Sequence, residues 1–236
     1  MSKVVILSGA GISAESGIST FREKDGLWDN HDVSIVCNYD SMQKHEEVTV
    51  AFYDNLRIKL KDKEPNAAHK AIAELKAMYK DDIAVITQNI DNLFEKAGIE
   101  HEDVIHLHGF TTELRCQNDY CDFTKDIGYI AQNEFNSGIC PMCDSKLRPN
   151  IVFFGEAAPL YTSLNQELHD CELFVVIGTS GNVINTDALV GYVKYSILNN
   201  LEPSIAINDE LYSKVFYQKA TEAIDEIAYE IEEFLK

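Results

Sequence analysis

The residues best suited to chemistry fall into three groups. Cys116-x4-Cys121 and Cys140-x2-Cys143 are two short-spaced thiol pairs. Two such pairs, each on a tight turn, supply what a tetrahedral zinc site needs. Four thiolates leave no open position for a substrate, so the expected metal is structural. Cys37 and Cys171 stand alone and read as packing residues. The second group is Gly9-x-Gly11-x-x-Ala14, directly after the apolar run Val4-Val5-Ile6-Leu7. Glycines in a strand-to-helix turn let backbone N–H groups approach a pyrophosphate. No Gly-Lys-Ser/Thr follows, which argues against a kinase or ATPase. The stretch that should carry a second strand with an acid at its tip holds Phe21-Arg22 and Gly26-Leu27-Trp28 instead, which argues against ordinary hydride transfer.

The third group sits at the ends of two further apolar runs: Thr87-Gln88-Asn89-Ile90-Asp91 and His106-Leu107-His108-Gly109. Amides and a carboxylate there suit ribose hydroxyls or a carboxamide. His108, beside a glycine that permits close ligand approach, is the candidate general base. His106 lies deeper in the strand and is given no role. His31, His45, His69, His101 and His169 belong to no motif and read as surface or packing residues.

These groups need a scaffold. The chain has 236 residues, 45% apolar and 25% charged, which suits an ordinary globular protein rather than a disordered one. No apolar run approaches the ~18 residues of a membrane span, and the N-terminal run is too short for a signal peptide, so a reducing, cytoplasmic setting is expected. The net charge of −19 disfavours sequence-independent nucleic-acid binding. Short apolar runs predict strands over 3–8, 83–87, 104–107, 172–178 and 204–208. Helical spacing appears over 47–60, over 66–79 behind an Asn66 cap, from Asp187, and over 221–235. Residues 15–38 read as a long loop and 115–149 as a metal-stapled module. Alternating strands and helices predict a parallel α/β sheet covered on both faces, interrupted by that module.

Taken together, the motifs resemble the sirtuins, the NAD-dependent protein deacylases, of the compact bacterial type. The match runs in order from Gly9-Ala10-Gly11-Ile12-Ser13 through Gly17-Ile18-Ser19-Thr20-Phe21-Arg22, Gly26-Leu27-Trp28, Thr87 to Leu93, His106 to Gly109 and the four cysteines. It continues to Arg148-Pro149-Asn150-Ile151-Val152-Phe153-Phe154-Gly155-Glu156 and Gly178-Thr179-Ser180. The resemblance implies a single catalytic domain with a Rossmann-like core (about 1–30, 81–114 and 150–236), a helical module (about 31–80) and a zinc module (about 115–149). NAD would lie between them. Gly9, Ala10, Gly11, Ser13, Ala14 and Ile18 would line the cofactor turn, and Phe21, Arg22 and Trp28 the cofactor loop. Gln88, Asn89, Ile90 and Asp91 would hold the nicotinamide ribose and carboxamide. Gly178, Thr179, Ser180, Asn208 and Ala220 would hold the phosphate and adenosine end. Val152, Phe153, Phe154 and Gly155 would pair with an acyl-lysine peptide by strand addition. Cys116, Cys121, Cys140 and Cys143 would hold structural zinc.

The implied reaction begins with attack of the acyl oxygen on the nicotinamide ribose. His108 then takes a ribose proton, Asn89 assists, and O-acyl-ADP-ribose, nicotinamide and free lysine are released. The partners would be acylated-lysine proteins or peptides. Family members that remove acidic acyl groups carry Tyr and Arg three residues apart. Here Tyr53 is followed by Leu56 at that position and Arg57 one later, so acetyl is expected over succinyl or malonyl, with Arg57 reaching inward as the alternative. ADP-ribosyl transfer or NAD hydrolysis on the same scaffold, and a non-catalytic NAD-sensing module, are the other readings. Where the family has a Pro-Ala pair, this chain has Ile184-Asn185-Thr186-Asp187. Asp187 there either caps the next helix or faces the phosphates unfavourably.

Overall fold

The computed structural model describes residues 3–20 and 33–236. Nine strands are present among them: β1 (Val4–Ser8), β2 (Ile83–Thr87), β3 (Val104–His106), β4 (Gly109–Cys116), β5 (Thr124–Asp126), β6 (Leu147–Ile151), β7 (Leu173–Ile177), β8 (Tyr195–Asn200) and β9 (Lys214–Tyr217). The helices are α1 (Val33–Val36), α2 (Tyr39–Lys44), α3 (Glu46–Leu60), α4 (Ala67–Tyr79), α5 (Leu93–Lys96), α6 (Tyr161–His169), α7 (Thr186–Val190) and α8 (Ala220–Leu235). Six strands form a parallel sheet in the order β3-β2-β1-β7-β8-β9. The strand order reverses between β1 and β7, and such a switch point opens a crevice at the carboxyl ends of those strands.

Alternate residues of each strand feed opposite faces. Val4, Ile6, Val85, Val175 and Ile197 pack under α4 and α8, through Ile72, Leu75, Ile224 and Ile227. Val5, Leu7, Ile86, Phe174 and Val176 pack against α6 and α7, through Leu164, Leu168 and Val190. Burial on both faces explains why these strands read as continuous apolar runs. Asn66 caps α4 as expected, its Oδ1 accepting the Ala68 and His69 N–H groups.

Three expectations are corrected. Residues 204–208 are not a strand: Ile205 is fully exposed and Ile207 alone is buried there. The strands in that region are β8 and β9. Polar Ser196, Asn199 and Asn200 conceal β8 in the sequence, yet all three are buried, and the Asn199 amide donates to the Phe216 and Gln218 carbonyls. Helix α7 is capped by Asn185, not Asp187, whose carboxylate instead accepts the Asn208 N–H. Within the expected loop 15–38, a 3-10 turn over Ala10–Ser16 overlaps its start, and α1 occupies 33–36.

Candidate active site

The four expected thiols converge beside the three-stranded antiparallel sheet β5-β4-β6. Cys116 Sγ lies 3.5 Å from Cys143 Sγ, and Cys121 Sγ 3.8 Å from Cys140 Sγ. Tetrahedral Zn–S bonds of ~2.3 Å place sulfurs roughly 3.8 Å apart, so the donor set and its spacing fit zinc. Ser145 hydrogen bonds pull Cys143 down to about 6, favouring a thiolate there. The buried cluster at this end holds Leu114, Cys116, Cys140 and Leu147, with four partly buried neighbours. So small a core needs a staple.

At the crevice, two glycine turns meet backbone to backbone. The Gly9 N–H donates to the Ile177 carbonyl and the Gly11 N–H to the Gly178 carbonyl, at 2.9 and 2.8 Å. Gly178 has φ +65°, and a Cβ on Gly11 would stand 2.6 Å from the Gly178 Cα. Ala10, Gly11, Ala14, Ile18, Gln88, Ile90, His108, Gly178 and Ser180 are each half-buried around this floor, with Thr179 buried beneath and bonded through Oγ1 to Gln88 Nε2 at 3.0 Å. Glycines, amides and hydroxyls at the ends of four neighbouring strands suit an extended dinucleotide. Phe21, Arg22 and Trp28 lie outside the described residues.

Below the floor runs a buried polar cluster. Ser13 Oγ donates to Asp91 Oδ2 at 2.9 Å, and Asn89 Nδ2 donates to Ser13 Oγ and to the Gly9 carbonyl at 3.1 and 3.2 Å. Asp91 Oδ1 accepts the Leu93 N–H. Both Asp91 oxygens thus face protein groups, and burial raises its pKa. Through these two contacts Asp91 joins the first turn to α5. His69 is buried beneath Ser13, with Nδ1 3.0 Å from Asn66 Oδ1, and burial lowers its pKa to about 4. It holds the cluster as a neutral ring, a role that a lone histidine in the first turn of a helix does not signal.

His108 follows β3 and is half-buried. Its Nδ1 lies 2.8 Å from the Gln88 carbonyl, which only accepts, so Nδ1 carries the hydrogen and Nε2 the lone pair. Nε2 receives the Tyr161 hydroxyl at 3.0 Å. Burial lowers the His108 pKa and keeps the ring neutral. Gly109, at φ +91°, brings β4 so close to β6 that a Cβ would fall 2.0 Å from the Asn150 carbonyl oxygen. Tyr161 was not among the expected site residues; nothing in Pro159-Leu160-Tyr161 marks it.

The other expected residues divide. Asn208 is exposed and caps a 3-10 turn over Asp209–Leu211, away from a strand end. The strand end beside Gly178 is Asn199–Asn200, where the Asn199 carbonyl accepts the Gly178 N–H and Asn200 is buried. Ala220 is buried at the start of α8, next to Thr221, which donates to Glu15. Tyr53 packs edge-on to Phe153 and Phe52, and Leu56 joins the same cluster with Ile90 and Ile151. Arg57 does not: it is wholly buried, donating Nε to the Thr111 carbonyl at 2.7 Å and Nη1 to Asp54 at 2.5 Å. These partners hold Arg57 away from the Tyr53–Leu56 cluster. Val152–Gly155 is also not an open edge throughout. The Phe154 N–H donates to the Cys37 carbonyl, its own carbonyl accepts the Tyr39 N–H, and the Phe153 N–H donates to Glu156. The Phe154 side chain is exposed.

No helix among the described residues is long and apolar enough to cross a membrane. The family model described as "Sir2 family" matches residues 9–185. An NAD-dependent protein deacylase of Campylobacter jejuni is 44% identical, covering 100% of this chain and 98% of the relative. A crystal structure of a Sir2 homolog–NAD complex superposes with a TM-score of 0.83 at 33% identity, covering 99% of this chain and 90% of that one. A Sir2 complex with a deacetylated p53 peptide and 3'-O-acetyl-ADP-ribose reaches a TM-score of 0.78 at 30% identity, covering 96% and 92%. With the two glycine turns, the His108 tautomer and the four thiols in place, these matches leave one assignment: the chain belongs to the Sir2 family.

Proposed function

We propose that this chain is an NAD-dependent protein-lysine deacylase that removes neutral acyl groups, acetyl above all. The observation that carries the reading is the fixed His108 ring: Gln88 occupies Nδ1, so the basic nitrogen Nε2 faces the cleft beside the glycine floor. A ribose hydroxyl reaching Nε2 would take the place of the Tyr161 hydroxyl and pass its proton to the ring. The glycine floor would hold the diphosphate, and Gln88 with Asn89 the nicotinamide end. Ser180 and Asn200 would flank the adenosine end. The four cysteines would hold zinc as a structural ion that supplies cohesion and no chemistry. The likeness to NAD- and peptide-bound Sir2 structures supports NAD as co-substrate and acylated-lysine proteins or peptides as partners.

The neutral-acyl preference rests on Leu56 packing with Tyr53 and Phe153 while Arg57 is committed to Thr111 and Asp54. An apolar wall disfavours burying an acyl carboxylate. The working unit is proposed as a single catalytic domain with the zinc and helical modules inserted in its core. A reducing cytoplasm would keep the free thiols available to the metal. Mass spectrometry of NAD products formed with an acetyl-lysine peptide tests the reading. Equal amounts of nicotinamide and O-acetyl-ADP-ribose are expected. Nicotinamide with ADP-ribose alone would overturn it in favour of NAD hydrolysis.

A further inference from the structure

We infer a second metal site, for a divalent ion of the zinc type, formed by Glu95, His101 and His106. Glu95 Oε1 lies 2.8 Å from His106 Nε2 and 3.3 Å from His101 Nδ1. The three ligand atoms stand within 4.8 Å of one another. They come from α5, the turn before β3, and β3 itself. Ligand atoms bound to zinc at ~2.0–2.1 Å are roughly 3.4 Å apart in a tetrahedron. The His101 spacing already suits this, and the His106 spacing needs a few tenths of an ångström.

The far nitrogen of each ring also faces an acceptor. His106 Nδ1 is 3.2 Å from the Asn89 carbonyl, and His101 Nε2 is 3.5 Å from Glu113 Oε1. That is the outer arrangement that orients metal-bound imidazoles. It also means that His106 has an acceptor at both nitrogens. Glu95 Oε1 and His106 Nε2 thus already stand within the reach of one bound ion. The second oxygen, Glu95 Oε2, is buried and has no hydrogen-bond partner among the described residues. His101 is exposed and, with Glu95 and Glu113, lines an open cavity of about 470 Å³, so an ion has an entry path and a free fourth position. Two imidazoles and one carboxylate with an open position are a zinc ligand set distinct from four closed thiolates.

Zinc titrated into protein that already holds its four-thiolate ion should occupy a second equivalent, detected by elemental analysis and by calorimetry in buffers of different ionisation heat. His101→Ala, a surface change, should weaken that equivalent at least 100-fold, and Glu113→Gln about 10- to 100-fold, both with unchanged circular dichroism and the first zinc retained. Absence of a second equivalent up to millimolar zinc, or a second equivalent bound equally well by His101→Ala, would overturn the assignment.

Discussion

On the floor of the cleft, backbone meets backbone; along the α3 wall, side chain meets side chain. Gly9, Gly11 and Gly178 touch with no room for a methyl group, so the floor accepts one residue type. Tyr53, Leu56, Ile151 and Phe153 form the wall as a packed cluster, and such clusters tolerate changes that conserve volume. In the function proposed above, the floor holds the cofactor and the wall selects the acyl group. A family can keep the first and vary the second.

The strongest way to break this contrast is at the base that stands above the floor. His108→Ala should lower deacylation by about 10²–10⁴ while leaving the unfolding midpoint and NAD binding nearly unchanged, as read by kinetics, thermal melts and calorimetry. In the unmodified protein the acid limb of kcat/KM should fall below 6.5, because burial disfavours the imidazolium and only the neutral ring accepts a proton. A limb above that value would mean a charged neighbour governs the ring.

Next in size is the floor itself. Gly11→Ala should cost about 3 kcal/mol of stability, the upper end of the overpacking range, because the colliding groups are both main chain. Urea unfolding measures it. A loss below about 1 kcal/mol would show that the two turns separate easily. The wall should discriminate by a smaller amount. Without a cation at the Leu56 position, a succinyl peptide forgoes a charge-assisted bond of roughly 1.5–3 kcal/mol and should react about 10- to 150-fold more slowly than its acetyl twin. Arg57→Met should leave that ratio unmoved although it lowers stability. Smallest is Tyr161→Phe. The phenol must leave Nε2 before a ribose hydroxyl arrives, and a hydrogen bond of about 0.5–1.5 kcal/mol opposes this. The variant should therefore gain about 2- to 10-fold in kcat/KM. A fall would assign Tyr161 to holding the base in place.

The same contrast explains what the sequence disclosed. Backbone constraints leave glycine signatures and paired thiols leave a spacing, so the cysteine pairs were legible alone, while the glycine turns and the His108 motif were read through the family resemblance. The buried strands β1, β2 and β7 were legible because burial on both faces writes an unbroken apolar run. Strand β8 was not, because buried Ser196, Asn199 and Asn200 read as loop, although the Asn199 side chain satisfies the Phe216 and Gln218 carbonyls. The expectation of a strand over 204–208 followed from missing β8. Arg57 was ambiguous for a different reason. One step around a helix moves a side chain by about 100°, and only the positions of Thr111 and Ile130 decide which way it turns. Tyr161 meets His108, and His69 meets Ser13, across long sequence separations that no local pattern records.

The attachment of α3 has a mechanical consequence. Near its start, Glu46 receives the Gln117 amide and the Lys146 ammonium, at 3.2 and 2.5 Å. Toward its end, Arg57 donates to Thr111 and Ile130, while Asp54 accepts the Gln132 N–H at 3.0 Å. The helix is thus riveted at both ends to the sheet and loops that surround the thiol cluster. Any hinge movement that narrows the cleft must carry helix and thiol cluster together as one lever, so grip on the acylated partner and cohesion around the thiols are the same mechanical property.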